Sequence, residues 1–419
     1  MEKLVSLLNE WWVDGKVRQA KEYKRRVFDD ALELLDEKYR QIMVISGLRR
    51  VGKSILMFQL IERLIKSGVE PRKIFYFSFD ERVEDLFELL NTYSVLTKFD
   101  WRKERVYMFF DEIQKLKDWS SKIKLLYDNF PNLKIVVSGS ASILIEREAL
   151  SNLAGRHFLI KMEPLSLKEF FELKKGRKVD DPEVWKNDVK MIFEEYLLKP
   201  LPEIVEWNEQ LVREYIRSNV VEKVVRRDLP EIFGNVNSSL LLSLLEIFCS
   251  QPGVILNLDS FSSNLRVSKK TLIEHIGYLE NSYLIRVVRN LRGSNLVASR
   301  KLRKVYPYHW CLIYSLFNKD EVEAGKFYEC VVASLFDAKY YWRDGDKEVD
   351  FMLGKIPVEV KAGRKVYDWD LKNLKYFMRR FNVSEGVLIY HGNEFEEADG
   401  IKIVPLFDFC YTTQRFFRQ

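Results

Sequence analysis

The chain has 419 residues, 47% hydrophobic, 14% aromatic and 31% charged, with 68 Lys and Arg against 62 Asp and Glu for a net charge of +6. This is a globular composition with apolar mass for several cores, spread over two to four domains. No apolar run is long enough to span a membrane, and the start Met1-Glu2-Lys3-Leu4 lacks a signal-peptide pattern. The four scattered cysteines (Cys249, Cys311, Cys330, Cys410) lack disulfide or metal spacing, so a reducing cytoplasm is the expected location.

Residues 1–40 read as a helical segment carrying Trp11, Trp12 and a basic knot, Lys24-Arg25-Arg26. From Gln41 strands and helices alternate. Ile42-Met43-Val44-Ile45 reads as a buried strand, and Ile55-Leu56-Met57-Phe58 opens an apolar helix. Between them lies Gly47-Leu48-Arg49-Arg50-Val51-Gly52-Lys53-Ser54, which fits the phosphate-binding P-loop at every fixed position. The glycines let backbone N–H groups curl around an anion, and the helix N-terminus, reached at Ile55, adds partial positive charge. Lys53 can reach the outer phosphates of ATP, and the Ser54 hydroxyl can ligate Mg²⁺.

Further apolar runs, Lys73–Phe77, Val106–Phe110 and Leu133–Val137, read as parallel strands buried on both faces. Asp111-Glu112 closes the second of these, where parallel sheets bind ligands. Asp111 is placed to hold Mg²⁺ and Glu112 to orient the attacking water. The third run ends at Ser138-Gly139-Ser140.

Residues 166–240 read as mostly helical and irregular. Residues 241–305 then read as a helix-turn-helix module: a short helix from Asp259 to Leu265, a turn at Arg266-Val267-Ser268, and a second helix from Lys269 to Asn281 burying Leu272, Ile276 and Leu279. Between Ser262 and Tyr308 ten Lys or Arg face two acids, a net +8 that exceeds the excess of the whole chain. Lys269, Lys270, Thr271 and Glu274 begin the second helix, and Arg286, Arg289, Arg292 and the Arg300 to Lys304 cluster could grip a phosphate backbone. Such a face predicts a nucleic-acid partner, DNA in preference; a solvated surface is the alternative.

Residues 306–419 are again mixed α/β. Glu329 lies on a helix, Glu348-Val349-Asp350-Phe351 on a strand, and Pro357-Val358-Glu359-Val360-Lys361 on an alternating strand that puts Glu359 and Lys361 on one face. Asp350 and Glu359 could bind Mg²⁺ while Lys361 positions a water, the set that phosphodiester hydrolysis needs.

Gly47 to Ser54, together with Phe109-Phe110-Asp111-Glu112-Ile113-Gln114 and Leu116-Lys117-Asp118-Trp119, is similar to the nucleotide motifs of AAA+ ATPases. Over essentially its whole length the chain resembles an archaeal and bacterial group in which the ATPase is followed by a winged helix and a nuclease-like domain. The fold this implies is a P-loop AAA+ α/β core (41–165), a helical lid (166–240), a winged-helix domain (241–305) and a restriction-endonuclease-like α/β domain (306–419). By the resemblance, Ser138 or Ser140, with Ser140 preferred, matches the polar sensor, and Arg156 matches the arginine finger supplied to a neighbouring subunit, which implies a homo-oligomer. Tyr23, Arg25 and Arg26 are candidates for the adenine side. Glu329, Asp350, Glu359 and Lys361 match the PD-(D/E)XK nuclease pattern. Lys199-Pro200-Leu201-Pro202 departs from the usual Gly-Gly before such a pair, which leaves the lid without carried-over residues. The expected activity is Mg²⁺-dependent ATP hydrolysis acting on nucleic acid, with a possible nuclease. The alternative is an ATP-dependent switch or scaffold whose nuclease-like domain is inactive.

Overall fold

In the computed structural model, residues 1–36, 38–139, 148–292, 297–298 and 302–416 are described. They divide into two units, residues 1–164 with 231–234, and residues 165–230 with 235–419.

The continuous apolar runs of the first unit form a parallel sheet: β1 (Ile42–Ser46), β2 (Ile74–Ser78), β3 (Val106–Asp111), β4 (Leu133–Ser138) and β5 (His157–Lys161). Its order is β2-β3-β4-β1-β5. Every residue of β1, β3 and β4 is buried, as strands covered by helices on both faces must be. The register brings the C-terminal ends level: Ser78 lies opposite Asp111, and Ile45 opposite Ser138.

The N-terminal segment forms three short helices, Glu2–Leu8, Trp11–Asp14 and Val27–Glu33, rather than one continuous helical stretch. Gly15, in the left-handed conformation, closes the second of them. The segment covers the sheet edge. Asn9 Nδ2 donates to Tyr76 O at 2.9 Å while Tyr76 N–H donates to Asn9 Oδ1 at 2.7 Å, so one side chain copies a strand's pairing. Both indole N–H groups, of Trp11 and Trp12, donate to Ile74 O. β2 is thereby denied to other chains as a template.

The second unit opens with helices, among them Leu167–Lys175, Pro182–Met191, Phe193–Leu198, Glu209–Tyr215 and Ser238–Ser250. Ser166 and Glu169 close a reciprocal capping box at the first. After β6 (Val254–Ile255) come helices Leu258–Asn264 and Lys269–Asn281, then β7 (Ile285–Arg292), β8 (Val297–Ala298) and β9 (Lys304–Pro307). Leu272, Ile276 and Leu279 are buried, as their helical spacing requires. β9 runs antiparallel to both β7 and β6.

The boundary expected at residue 305 falls inside β9. The sheet also continues beyond it: β10 (Tyr340–Asp344) pairs parallel with β7, and β11 (Lys347–Val349) antiparallel with β10. A second sheet, ordered β12-β13-β14-β16-β15, contains β12 (Phe351–Leu353), β13 (Ile356–Lys361), β14 (Gly386–Tyr390), β15 (Glu396–Ala398) and β16 (Ile401–Pro405). Asp350 is the single residue between β11 of one sheet and β12 of the other.

Candidate functional site

The loop after β1 has the shape its glycines allow. Gly47 has φ +148°, and a Cβ there would lie 2.1 Å from Met162 O, so any other residue would collide with the backbone. Gly52, at φ +99°, caps the helix Lys53–Lys66 in the left-handed region. Lys53 is buried, and its ammonium donates to Gly47 O at 2.9 Å and Leu48 O at 3.0 Å. The cation is thus held over the mouth of the loop by the loop's own carbonyls.

The ends of β3 and β4, the middle of β2 and this helix converge at Asp111. Ser54 Oγ donates to Asp111 Oδ2 at 2.5 Å, Tyr76 OH donates to the same oxygen at 3.1 Å, and Ser138 Oγ donates to Oδ1. The Glu112 N–H adds a bond to Oδ1 at 3.0 Å. Burial, and then the adjacent Glu112, push the Asp111 carboxyl up, while Ser138, Ser54 and Lys53 oppose that. Glu112 stands at φ +50°, a conformation uncommon for its type, and Gln114 Nε2 holds its Oε2 at 2.5 Å. Gln114 was placed in the second nucleotide motif without a role, and Tyr76 was not singled out from the sequence. A polar tail two residues past the acid pair was a signal for Gln114. Tyr76 looked like one more apolar strand residue. Ser138 is placed on Asp111; Ser140 lies outside the described residues.

Arg25 does not have a free guanidinium for a base. It donates to Val51 O at 3.0 Å, Glu163 O at 2.8 Å and Pro164 O at 3.1 Å, which braces the back of the P-loop against the segment after β5. Arg156 ends its turn just before β5, and its carbonyl accepts the Ile42 N–H at 2.8 Å. It therefore sits at the opposite end of β1 from the P-loop, roughly 13 Å or more along the strand. Its side chain pairs with Asp128 at 2.8 Å on the surface.

Residues 39–171 match the AAA domain. Two domains of unknown function follow, DUF8612 over residues 192–323 and DUF4143 over 325–409. An uncharacterized protein of Haemophilus influenzae is 29% identical over 88% of this chain and 93% of its own length. The uncharacterized protein MJ1637 of Methanocaldococcus jannaschii is 26% identical over 93% of this chain and 89% of its own. A solved structure, the replication initiator DnaA bound to AMPPCP and single-stranded DNA, is 12% identical with a TM-score of 0.29, covering 65% of this chain and 92% of that one, a likeness too loose to bear on any residue. The chain thus carries an AAA-type nucleotide-binding ATPase domain, and Asp111, Ser54 and Ser138 lie within it. Among the described residues no helix is long and apolar enough to cross a membrane.

Beyond the AAA domain, the basic region divides in two. Arg266, Lys269, Lys270, Arg289 and Arg292 are exposed. Ser268 caps the second helix by accepting the Thr271 N–H, so Lys269, Lys270, Ile273 and Glu274 line its outward face. Arg286 and Lys304, expected to grip phosphates, are instead buried. Arg286 pairs with Asp337 and donates to Tyr308 O. Both lie on strands whose alternation turns them inward, and burial of a cation requires an acid partner. Arg300 and Lys301 lie outside the described residues.

The C-terminal residues do come together. Asp350 acts electrostatically on Glu329, Glu359 and Lys361 alike. Glu329 accepts Tyr306 OH and Lys326 Nζ, both at 2.8 Å. Asp350 Oδ2 accepts the Val360 N–H at 2.9 Å, and its Oδ1 lies 3.8 Å from Lys304 Nζ. Glu359 Oε1 accepts Lys361 Nζ at 2.9 Å, while Oε2 is buried with no hydrogen-bond partner. Burial, then Asp350, push Glu359 up to about 8. Sequence reasoning placed Lys304 on the surface; it is the buried cation of this cluster, 2.5 Å from Glu348 Oε1. Among the described residues no group of three or more His, Cys, Asp or Glu is arranged to hold a metal ion.

Proposed function

We propose that the chain is an Mg²⁺-dependent ATPase that works as a homo-oligomer and couples nucleotide turnover to a DNA-binding module. The observation that carries this reading is the convergence of Ser54, Ser138 and Tyr76 on one buried carboxylate at the mouth of the P-loop. The donors are neutral hydroxyls, and an oxygen-only set of hydroxyl and carboxylate suits Mg²⁺. Ser54 and Asp111 would hold the ion, which neutralises charge on the phosphates. Lys53 would leave the Gly47 and Leu48 carbonyls for the outer phosphates of ATP. Glu112, held by Gln114, would orient water for in-line attack on the γ-phosphate. Ser138 would report the state of Asp111 to β4.

Arg156 lies at the wrong end of the sheet for its own nucleotide, which supports a role in trans. Its surface pair with Asp128 is solvent-screened and readily exchanged for a phosphate. The helix Lys269–Asn281, with the antiparallel β7–β9 pair, would act as a winged helix. Its outward Lys269 and Lys270, with Arg289 and Arg292 on β7, would meet a DNA backbone.

The test is phosphate release from ATP by the purified chain, alone and with duplex DNA, against Glu112→Gln. Turnover that matches in the two proteins would defeat the assignment. A second reading, a metal-dependent nuclease, is favoured by the convergence of Glu329, Asp350, Glu359 and Lys361. Its test is cleavage of labelled DNA with Mg²⁺ or Mn²⁺ by the wild type and by Lys361→Ala. The cations already seated on those carboxylates weigh against turnover, and the switch without nuclease activity is the reading adopted.

A further inference from the structure

We infer that Lys304 is the resident cation of the C-terminal carboxylate cluster, and that the cluster joins two sheets instead of holding a divalent metal.

The argument begins with position. Lys304 opens β9 in the sheet that also contains β10 and β11, and it is 2% exposed. Its ammonium lies 2.5 Å from Glu348 Oε1 on β11 and 3.8 Å from Asp350 Oδ1. Asp350 is the residue at which the chain leaves this sheet for the next, and its other oxygen accepts the Val360 N–H of β13. One carboxylate therefore binds a cation from the first sheet and a backbone donor from the second. The Lys304 ammonium also lies 5.0 Å over the ring of Tyr341 on β10, which adds a third element to its seat.

Charge gives the second argument. The acids of the cluster are Glu329, Glu348, Asp350 and Glu359. Their partners are Lys326 on Glu329, Lys304 and Arg343 on Glu348, Lys304 on Asp350 and Lys361 on Glu359. Four carboxylates face four basic side chains. A divalent ion would bring two more positive charges next to the Lys304 ammonium, which already lies between Glu348 and Asp350. Both oxygens of Glu329 accept hydrogen bonds, Asp350 Oδ2 accepts the Val360 N–H, and Asp350 Oδ1 has the ion pair to Lys304 at 3.8 Å. Glu359 Oε2 is buried without a hydrogen-bond partner, on a carboxyl group that Lys361 already pairs with.

The geometry also says what would make a metal site. Replacing Lys304 by an apolar residue of similar length leaves the buried Asp350 without its cation and Glu348 with Arg343 alone. The cluster then becomes an oxygen-rich pocket with net negative charge, which divalent ions relieve.

The experiment uses the full-length, nucleotide-free protein and Mn²⁺ alone, titrated by calorimetry and by electron paramagnetic resonance. Wild type, Asp350→Asn and Glu359→Gln should bind the same number of Mn²⁺ ions. Lys304→Met, shown to be folded by circular dichroism, should gain one site that binds Mn²⁺ at least about a hundredfold more tightly than the wild type does. Lys304→Met with Asp350→Asn should lose that site. A wild type that binds one Mn²⁺ more than Asp350→Asn or Glu359→Gln overturns the inference. So does a folded Lys304→Met that binds no more than the wild type. If Lys304→Met does not fold, the three-way comparison of wild type, Asp350→Asn and Glu359→Gln still decides. None of these outcomes depends on ATP, so failure here and failure of the ATPase reading are separate results.

Discussion

Asp111 and Asp350 are both buried carboxylates next to a strand end with a lysine nearby, and they differ in what satisfies them. Asp111 is held by three hydroxyls and a backbone N–H, all neutral donors. Hydroxyl oxygens can turn and share a cation, which is the basis for proposing Mg²⁺ at this carboxylate. Asp350 is held by a backbone N–H and by an ammonium whose charge already offsets its own. An acid with neutral partners is prepared for an arriving cation, whereas an acid with an ammonium beside it has one built in. The same residue types at the same kind of place are therefore proposed to serve a reactive site in one unit and a joint in the other.

The sharpest way to break this contrast tests the role in trans proposed for Arg156. Arg156→Ala should lower ATP turnover by about 10³-fold or more while leaving nucleotide affinity unchanged, as followed by titration with a fluorescent nucleotide. Mixing it with Glu112→Gln subunits should recover part of the activity, because each mixed interface can then contain one intact site. Undiminished turnover in Arg156→Ala would refute the role in trans. Glu112→Gln alone should cost about 10² to 10⁴ in turnover with ATP still bound, since the fold and the P-loop are untouched.

In the other unit the readout is stability. Lys304→Met should lower the unfolding free energy by about 3–5 kcal/mol in a denaturant titration, the usual cost of stranding a buried charge. Adding Glu348→Gln should return part of it, whereas Glu348→Gln should bring no such gain to a protein that retains Lys304. The smallest effect concerns the exposed basic face. Lys270→Ala should reduce the slope of log affinity against log salt for duplex DNA by about 1. Arg286→Ala, whose side chain is spent on Asp337, should destabilise the protein and leave that slope as it was.

Much of the first unit was legible from the sequence. The buried runs at β1, β3 and β4 are uniformly apolar, and parallel strands require that. The P-loop was legible because its glycines answer a local need: Gly47 has no space for a Cβ, and Gly52 sits in the left-handed region. The helix-turn-helix was legible from Leu272, Ile276 and Leu279 at helical spacing, and the shared face of Glu359 and Lys361 from strand alternation. These are signals within a few residues of one another, where backbone period alone fixes which way a side chain turns.

Tertiary structure decided the rest, because it concerned partners dozens of residues away. Lys304 and Arg286 stand in a basic run that reads as one surface, yet strand pairing turns both inward onto Glu348 and Asp337. The continuation of the sheet from β7 to β10 carried it past the boundary expected at 305, since the exposed hydrogen-bonding edge of one segment was completed by a later one. Ser138 reached Asp111 only because β4 lies beside β3 with their ends level. Sequence by itself determined which residues could carry charge, phosphate or a buried face; the pairing of strands decided which acid met a hydroxyl and which met an ammonium. The physical reason is that periodicity encodes burial locally, whereas the energy of a buried charge depends on the group packed against it, and only the folded chain chooses that group.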